Sequence, residues 1–542
     1  MINIKKTISR ANKKLPLKLA AAILAGSSLA ASLLGLLRDR LLNGLYYETY
    51  PTGIDAYTVA FTIPDFMFFI LVSGALSVTF IPVFNQRLAT GNKKSAWELS
   101  TSLLNLMALA TLVTSILIII FAELLVKYVV GPGLDESSTS LAVSMMRVIA
   151  VNPFLFAVAT VLASMQQAVG RFAFFALAPV VYNIGIIIGA MFFTDGIYLF
   201  GEQIFEGGIM GVALGVVLGS ILQLIISSIG IYGMGFDYRF KIYWRNKGFR
   251  RVLGLLPPRS LDQGMDYVNS IVETNLASRM ASGSVRAYQQ AQTLSFVPIN
   301  LIGVAISTAA FPKMTERLGQ GRPDLFKREL QAVLRVIIWL ALPVTVIAYF
   351  GRGYLVDLVE PGGDALMAGI LGILAVSILF RSIYFISARS FYAQQDTKTP
   401  LYISFVTIGV NISLAVWLTF GLNAGVYGLA WAAVAASVME VAILFFIMRR
   451  RISGLFDKDF IGGIFRMVGA TLAMAAVTYI MVSLFPLSLG DKGFFASFPK
   501  FVLIVAVSLI FYIIICRLLK LPEVAPVIER VRKIFFKQPS VG

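Results

Sequence analysis

Histidine is absent from this chain of 542 residues, and cysteine occurs once, at Cys516. Without histidine there is no imidazole to relay protons near neutral pH or to bind a transition metal. A single thiol excludes an intramolecular disulfide framework and a thiolate metal site. We therefore expect neither a metal centre nor a cofactor.

Charge is also scarce, since 14% of the residues are charged and 58% are hydrophobic. A soluble domain has about 25% charged residues, whereas a membrane-spanning helix needs ~20 apolar ones. About fourteen apolar segments of that kind follow one another along the chain, and lipid-exposed backbone is satisfied within helices. We predict an all-α polytopic membrane protein. The segments lie near 16–37, 54–84, 98–122, 139–165, 172–194, 207–233, 252–281, 284–312, 329–350, 365–388, 400–420, 424–448, 462–485 and 499–519.

Basic residues are distributed unevenly between alternate connections. With the N-terminus taken as cytoplasmic, most of the 46 Lys and Arg residues fall in the even-numbered connections and at the two ends. Because Lys and Arg resist translocation, this bias predicts that both termini are cytoplasmic. A basic inner face also explains the net charge of +18 without nucleic-acid binding. The odd-numbered connections contain Arg38, Arg40, Lys127, Arg352, Lys492 and Lys500.

Sequence patterns recur within the chain. The run SVTFIPVFNQRLATG (77–91) is similar to STAAFPKMTERLGQG (307–321), 230 positions later. A second recurrence, at a shift of 228, relates Gln166, Gln167 and Asn183 to Gln394, Gln395 and Asn411. Two nearly equal offsets indicate duplicated parallel halves, and transporters commonly bind substrate where such halves meet. We predict a basic cytoplasmic N-terminus (1–15), an N-lobe (16–233), a basic cytoplasmic linker (234–251), a C-lobe (252–448), two further helices (449–520) and an amphipathic cytoplasmic tail (521–542).

Charged residues within the predicted spans are costly and usually functional. Asp262, Asp266 and Glu273 in the seventh span follow one another at spacings of four and seven, which places them on one helix face. Asp266, Glu273 and Glu440 are candidates for binding Na⁺ or H⁺, and the membrane potential is the alternative source of energy. Pro64 permits a bend and is a predicted hinge. The other charges in or beside the spans include Asp65, Arg147, Arg259, Arg279 and Arg381.

Catalytic motifs are missing from the sequence. It contains no nucleophile elbow, no phosphate-binding glycine loop and no metal-binding triad. We therefore expect a transport protein rather than an enzyme. A membrane glycosyltransferase or polymerase remains an alternative, for which Asp195, Glu202 and Glu206 supply carboxylates in an outer connection.

Three motifs stand out: LLGLLRDRLL (33–42), IDAYTVAFTIP (54–64) and SFYAQQDTKTP (390–400). They resemble the MurJ (MviN) lipid II flippases of the multidrug/oligosaccharidyl-lipid/polysaccharide (MOP) exporter superfamily, and the similarity covers essentially the whole chain. The resemblance implies two six-helix lobes around a central cavity, with the last two helices bordering a groove for a lipid tail. It further implies a monomer in the bacterial inner membrane that moves an undecaprenyl-diphosphate-linked peptidoglycan precursor, lipid II, to the outer leaflet by alternating access.

The resemblance also implies substrate-binding residues. Arg38 and Asp39 match the family's Arg-Asp pair after a helix-one glycine, here Gly35, which is a second predicted hinge. Asp55 matches the acidic residue that opens helix two. Guanidinium groups suit a diphosphate because they donate paired hydrogen bonds to it.

Three positions at which the family usually carries arginine are neutral here, namely Ser32, Phe68 and Thr293. Ser32 and Thr293 are retained as candidate substrate-binding residues. Other arginines are expected to replace the missing charge, with Arg381 as the first choice and Arg147, Arg259 and Arg286 as further candidates. The alternatives are a different polyprenyl-linked saccharide as substrate, or a MATE-like exporter that exchanges small molecules for cations.

Overall fold

The computed structural model describes residues 17–73, 80–199, 202–487, 494–526 and 529. The first helices are α1 Leu17–Tyr46, α2 Pro51–Phe68, α3 Ile81–Ala89, α4 Lys93–Leu124, α5 Glu136–Ile149, α6 Asn152–Ala168, α7 Ala173–Ile188 and α8 Ile209–Ile229. The others are α9 Lys247–Ser278, α10 Ser284–Ile299, α11 Ala305–Gly319, α12 Pro323–Phe350, α13 Arg352–Asp357, α14 Ala365–Ala393, α15 Lys398–Val416, α16 Val426–Arg451, α17 Lys458–Leu484 and α18 Phe494–Leu518. A 3₁₀ turn covers Pro522–Val524, and strands β1 Ile197–Leu199 and β2 Glu202–Phe205 pair in antiparallel fashion.

Twelve helical stretches of the described chain are long and apolar enough to cross a membrane. Helices α1, with 30 residues, and α9, with 32, occupy the first and seventh predicted positions. The described parts of the predicted segments are thus largely helical, as expected, but the segment 139–165 divides into α5 and α6 at residues 150–151, and the sequence does not predict the β1–β2 hairpin. The cytoplasmic placement of the termini stays a prediction, because residues 1–15 and most of the predicted tail lie outside the described residues.

Helix α1 is longer than the apolar pattern predicts. The pattern ends at residue 37, whereas the helix continues to Tyr46. No proline or glycine interrupts residues 36–43, and the side chains of Leu42 and Asn43 are buried. Arg38 and Asp39 therefore lie inside the helix, about two turns before its end, rather than closing it.

The chain divides into two compact units, Met1–Arg286 and Ala287–Gly542. Helix α9 packs against α2, α3 and α4 and so belongs to the first unit. The repeat pattern assigns the same span to the C-lobe, and that lobe boundary stays a prediction. Phe80, Phe84, Leu99, Leu103 and Phe249 are fully buried in the core of the first unit.

The last two spans pack within the second unit. Helix α17 packs against both α12 and α18. The indole N–H of Trp339 on α12 donates to Sγ of Cys516 on α18 at 3.3 Å. The single cysteine is thus a buried packing residue. A lipid groove beside these helices stays a prediction.

Local structure repeats at the spacing that the sequence patterns indicate. Helices α3 and α11 are each followed by a left-handed glycine, Gly91 with φ of 75° and Gly321 with φ of 68°. In each case the glycine N–H donates to the carbonyl of a leucine three residues earlier, Leu88 or Leu318. The described part of the first recurrent run therefore has the same helix end in both halves. Its Ser77 lies outside the described residues.

In the described part of the chain, five helices pass directly into π-helical segments, which often mark functional sites. Phe69–Ser73 after α2 has a counterpart in Asn300–Val304 after α10. Gly189–Phe193 after α7 has a counterpart in Trp417–Gly421 after α15, at the shift of 228. The duplication predicted from short motifs therefore extends to irregular backbone. The remaining segment is Leu125–Val130 after α4.

Helices α7 and α8 approach through their glycines. Gly211, Gly215 and Gly219 are spaced by four on α8, and the same spacing separates Gly185 on α7 from Gly189, the first residue of the π-helical segment that follows. A Cβ on Gly215 would lie 2.6 Å from the Cα of Gly189. Small residues allow such backbone contact between helices in lipid, so any side chain here forces the two helices apart.

Gly215→Ala should therefore lower the free energy of unfolding by about 1–3 kcal/mol, the usual effect of overpacking. The measurement is the midpoint of thermal unfolding of the purified protein in detergent. Gly254→Ala is the matched control, because no atom lies within 4 Å of the Cβ it would add. That change should be neutral or slightly stabilising. Equal midpoints for the two variants would contradict the close packing.

Candidate functional site

Arg38 is held in place by two neighbours in the first unit. Its Nε and Nη2 donate to Oδ1 of Asp39 at 3.1 and 2.9 Å. Its Nη1 donates to Oδ1 of Asn183 on α7 at 3.2 Å. The Arg38 side chain is 25% exposed. Arg38 is thus oriented by the protein while its side chain remains partly exposed.

Arg286, at the start of α10, completes the arrangement from the buried side. Its Nε donates to Oδ1 of Asn43 at 2.9 Å, and its Nη2 lies 3.5 Å from Oδ1 of Asp39. The side chain of Arg286 is 7% exposed. Asp39 therefore lies between two guanidinium groups. We call Arg38, Asp39, Asn43 and Arg286 the arginine cluster.

Asp55 stabilises the backbone next to this cluster. Its Oδ2 accepts the N–H of Gly283 at 2.6 Å, and its Oδ1 accepts the N–H of Arg286 at 2.8 Å. The first N–H groups of a helix lack intrahelical partners and favour an anion. Asp55 supplies that anion for α10, and both its oxygens are occupied by backbone. Its position fixes Arg286, while direct substrate binding by Asp55 stays a prediction.

Asp39 is the carboxylate that both guanidinium groups of the cluster contact, and Asp65 on α2 is a further carboxylate within electrostatic reach of Arg38. Two guanidinium groups share one carboxylate, and the charge of nearby Asp55 is directed at backbone N–H groups. Arg286 is buried, so the accessible positive charge is that of Arg38. A guanidinium with part of its fork exposed can donate to phosphate or carboxylate oxygens.

The other predicted residues of the first unit lie elsewhere. Ser32 is exposed and lines a cavity between helices. Arg147 is exposed and donates to the carbonyl of Ile119 at 3.3 Å. Glu273 is buried and accepts from Asn269 at 2.9 Å.

The two predicted hinges also lie in the first unit. Pro64 is inside α2, five residues before its π-helical segment. A Cβ on Gly35 would make an ordinary contact with Asn183, at 3.8 Å from Oδ1. Hinge motion at these positions stays a prediction.

Three predicted residues lie in the second unit. Thr293 is exposed, and its hydroxyl donates to the carbonyl of Gln289 within α10. Arg381 is half-buried on α14. Glu440 is 9% exposed on α16 and accepts from the hydroxyl of Ser404 at 3.0 Å. The side chains of Arg259, Asp262 and Asp266 lie outside the described part of the chain.

Sequence reasoning missed two members of this site and undervalued a third. Asn43 lies on the part of α1 that the apolar pattern leaves out. The sequence singles out Asn183 only because Asn411 recurs at the shift of 228, and it does not indicate a contact with Arg38. Arg286 was a lesser candidate than Arg381, because the contact of α10 with Asp39 and Asn43 depends on residues more than 240 positions apart in the chain.

The Gln-Asp-x-Lys-Thr-Pro motif forms the turn between α14 and α15. Asp396 accepts the N–H groups of Lys398 and Thr399 at 3.1 and 2.9 Å, as a helix cap does. Arg451, at the end of α16, pairs with the same carboxylate at 2.7 Å, and its guanidinium lies over the ring of Phe391. Burial raises the pKa of Asp396, but hydrogen bonds from Thr399 and Arg451 outweigh it and hold the pKa at about 2. The motif thus joins three helix ends of the second unit.

Many spanning helices, duplicated local structure and a cluster of intramembrane charge define a multi-pass membrane transport protein. A family model described as lipid II flippase MurJ matches residues 51–498. The chain belongs to this lipid II flippase family, and it is a multi-pass protein of the inner membrane.

Individual relatives support the assignment. A probable lipid II flippase MurJ of Bdellovibrio bacteriovorus is 25% identical over 448 residues, covering 80% of this chain and 83% of that protein. A solved structure of lipid II flippase MurJ in an inward closed conformation has a TM-score of 0.73 at 24% identity, with 92% of this chain and 99% of the other covered. An inward-facing MATE multidrug transporter of the MOP superfamily has a TM-score of 0.66 at 16% identity, with 79% and 96% covered. This chain shares its fold with both solved structures.

Asp396→Asn should remove the charge of the motif while keeping an oxygen that can cap α15. The folded pKa of about 2 lies below the ~3.9 of an unfolded aspartate. The charge therefore stabilises the protein fully above about pH 4, and this contribution is lost as pH falls through about 2. We expect the variant to be less stable by about 0.5–1 kcal/mol at pH 7. Thermal unfolding between pH 7 and 2.5 should show the difference shrinking below about pH 4, and a constant difference would contradict the ion pair.

Proposed function

We propose that the protein is a flippase that moves lipid II from the inner to the outer leaflet of the cytoplasmic membrane by alternating access. Family membership supports the substrate class, and the arginine cluster supports its chemistry. A diphosphate with a sugar head cannot cross hydrocarbon unaided, because charged groups at the bilayer centre are strongly disfavoured. A protein path must therefore offer fixed positive charge and polar surface.

The observation that carries this proposal is the geometry of Arg38. Asp39 and Asn183 fix its orientation, and a quarter of its side chain remains exposed. Arg286 shares the carboxylate of Asp39 from the buried side and so keeps Asp39 from neutralising Arg38 fully. We assign the diphosphate to the accessible edge of Arg38, with Arg286 as a positioning residue. Arg381 in the second unit remains a further candidate ligand.

The proposed cycle needs no covalent chemistry. The head group binds from the inner side, the duplicated halves rock about it, and it leaves on the outer side. The polyprenyl chain stays in lipid beside the last two spans. Both halves are present in one chain, so we propose that the protein acts as a monomer, without enzymatic activity or a nucleic-acid partner.

Transport also needs a source of energy, and we propose that a cation supplies it through Glu440. Glu440 is 9% exposed. Its Oε1 accepts hydrogen bonds from the hydroxyls of Ser404 and Thr407, at 3.0 and 3.4 Å. Oxygen donors of this kind suit Na⁺, and a buried carboxylate also suits H⁺. Glu273 is the second candidate, and the membrane potential is the alternative.

Complementation tests the proposed substrate. Expressed in a bacterium depleted of its own lipid II flippase, the wild-type chain should restore growth, and Arg38→Ala should not. Loss of hydrogen bonds to a charged group is worth about 1.5–3 kcal/mol, so transport should fall by about 10–100-fold. Arg38→Lys should retain part of the activity, because it keeps the charge but not the fork.

Arg239→Ala is the matched control, since Arg239 forms an exposed ion pair with Asp237. It should restore growth like the wild type. Absence of rescue by wild-type protein that is present in the membrane would contradict lipid II as substrate and favour another polyprenyl-linked saccharide. Drug efflux that depends on a cation gradient would instead select the MATE-like alternative.

Glu440→Gln tests the coupling proposal. In proteoliposomes, Na⁺ gradient, H⁺ gradient and membrane potential are imposed one at a time while lipid II movement is followed. We expect either the Na⁺ or the H⁺ gradient to accelerate lipid II movement by the wild type. In Glu440→Gln most of that acceleration should be lost, because the neutral amide lacks the negative charge that binds the cation. Glu316→Gln, at an exposed position on α11, should behave as the wild type. Full gradient dependence in Glu440→Gln, or acceleration by the potential alone, would contradict the proposal.

A further inference from the structure

A cavity of about 680 Å³ lies within the first unit, between α1, α6, α7 and α8. This volume is within the ~300–1,000 Å³ that small-molecule sites commonly occupy. Half of the residues that line it have neutral polar side chains, and none is charged. A purely apolar gap between helices would not have this lining, so the cavity has the chemistry of a binding site for an uncharged polar group.

The polar side chains form stripes along three helices. Ser28 and Ser32 are one helical turn apart on α1, and Gln223 and Ser227 are one turn apart on α8. On α6, Thr160 is followed at spacings of four and seven by Ser164 and Gln167. Residues with these spacings share one helix face. Three separate helices therefore direct hydroxyl and amide groups towards one space.

One hydroxyl in the cavity lining has no partner within the described protein, and a proline removes a backbone donor from the α7 wall. The hydroxyl of Ser227 is buried and makes no hydrogen bond. A buried hydroxyl without a partner is unfavourable by about 1–3 kcal/mol. On the α7 wall, Pro179 has no N–H to donate to the carbonyl of Phe175, four residues earlier. Ser227 itself is fully buried, so the donors and acceptors open to a polyhydroxylated ligand are the partly exposed side chains of Thr160, Gln167 and Gln223 and the exposed Ser32.

The cavity is directly connected to the arginine cluster. Asn183 accepts from Arg38 through its Oδ1 and donates to the carbonyls of Pro179 and Ala31, at 3.1 and 3.4 Å. Ala31 and Pro179 both line the cavity. Ser32 and Arg38 are six residues apart on α1, a rise of about 9 Å. An accessible cation and a neutral polar cavity therefore lie side by side along one helix.

We propose that this cavity is a saccharide subsite, which binds an uncharged sugar of the lipid-linked substrate while Arg38 holds the adjacent diphosphate. This inference rests on the proposed function and assigns the sugar to α1, α6 and α8. Hydroxyl groups of a sugar can donate to the Phe175 carbonyl and exchange hydrogen bonds with the Ser, Thr and Gln side chains. Because no charge is present, the cavity does not compete with Arg38 for the diphosphate.

The experiment compares undecaprenyl diphosphate with lipid II, and the peptide-free disaccharide lipid is measured beside lipid II because lipid II carries a peptide as well as the sugars. Affinity of the purified full-length protein in nanodiscs is measured for undecaprenyl diphosphate and for lipid II. The double variant Thr160→Val, Gln223→Leu keeps the size of both side chains and removes their hydrogen bonds. We expect about tenfold weaker binding of lipid II, from the loss of two neutral hydrogen bonds, and an unchanged affinity for undecaprenyl diphosphate.

Two further variants complete the design. Thr114→Val on α4 removes a hydroxyl that bonds within its own helix, outside the cavity, and should change neither affinity. Arg38→Ala should weaken both lipids, because both carry the diphosphate. Affinity for the sugar-free lipid and the thermal midpoint report whether the double variant is folded.

The outcomes separate the two proposals. If the wild type binds both lipids and the double variant loses both equally, or loses neither, the saccharide subsite is wrong and the flippase proposal stands. If the wild type binds neither lipid, the proposed function is wrong and the subsite falls with it. A loss that lipid II and the peptide-free disaccharide lipid share, with undecaprenyl diphosphate unaffected, supports the subsite, whereas a loss confined to lipid II points to the peptide and contradicts it.

Discussion

The need to satisfy charge without water determines the arrangement of the first unit. Asp39 lies between Arg38 and Arg286, and Asn43 and Asn183 occupy donors of the two guanidinium groups. Asp55 neutralises the start of α10 through two backbone N–H groups, which places Arg286 where it can reach Asp39. Removing one partner of such a buried pair leaves a charge without compensation, which is usually far more destabilising than the pair is stabilising. Helices α1, α2 and α7 and the chain up to Arg286 are therefore held together by polar contacts as well as by apolar packing.

Irregular backbone recurs at about the spacing of the recurrent sequence patterns. The left-handed glycines 91 and 321 end corresponding helices, and the π-helical segments recur after α2 and α10 and after α7 and α15. The helices that follow, α8 and α16, both begin after a glycine with positive φ, Gly208 or Gly425. A π-helical segment is rare and often marks a functional site. The recurrence of these segments therefore indicates that corresponding helices keep the same irregular positions.

The sequence predicts the helices well because spans in lipid are long, apolar and bounded by charge. It predicts the site less completely. The end of α1 was placed too early, since Arg38 and Asp39 break the apolar pattern although their pairing makes them tolerable inside a helix. The proximity of Asp55 and Arg286 depends on residues 231 positions apart, which no local pattern indicates. Glycines spaced by four on α8, by contrast, form a local pattern that allows close helix packing, and the short contacts at Gly215 and Gly219 show such packing.

A neutral residue at Ser32 has a physical explanation in this arrangement. Ser32 lines a cavity whose other polar groups are neutral, and a cation there would have no carboxylate among its neighbours in the cavity lining. An uncompensated charge at that depth is disfavoured, whereas a hydroxyl can both donate and accept. Positive charge is instead concentrated at Arg38 and Arg286, where Asp39 compensates part of it. Along α1, the charged region around Arg38 thus lies next to the neutral cavity lined by Ser32. A ligand in which an anionic diphosphate is joined to an uncharged sugar has its charged and neutral parts in the same sequence.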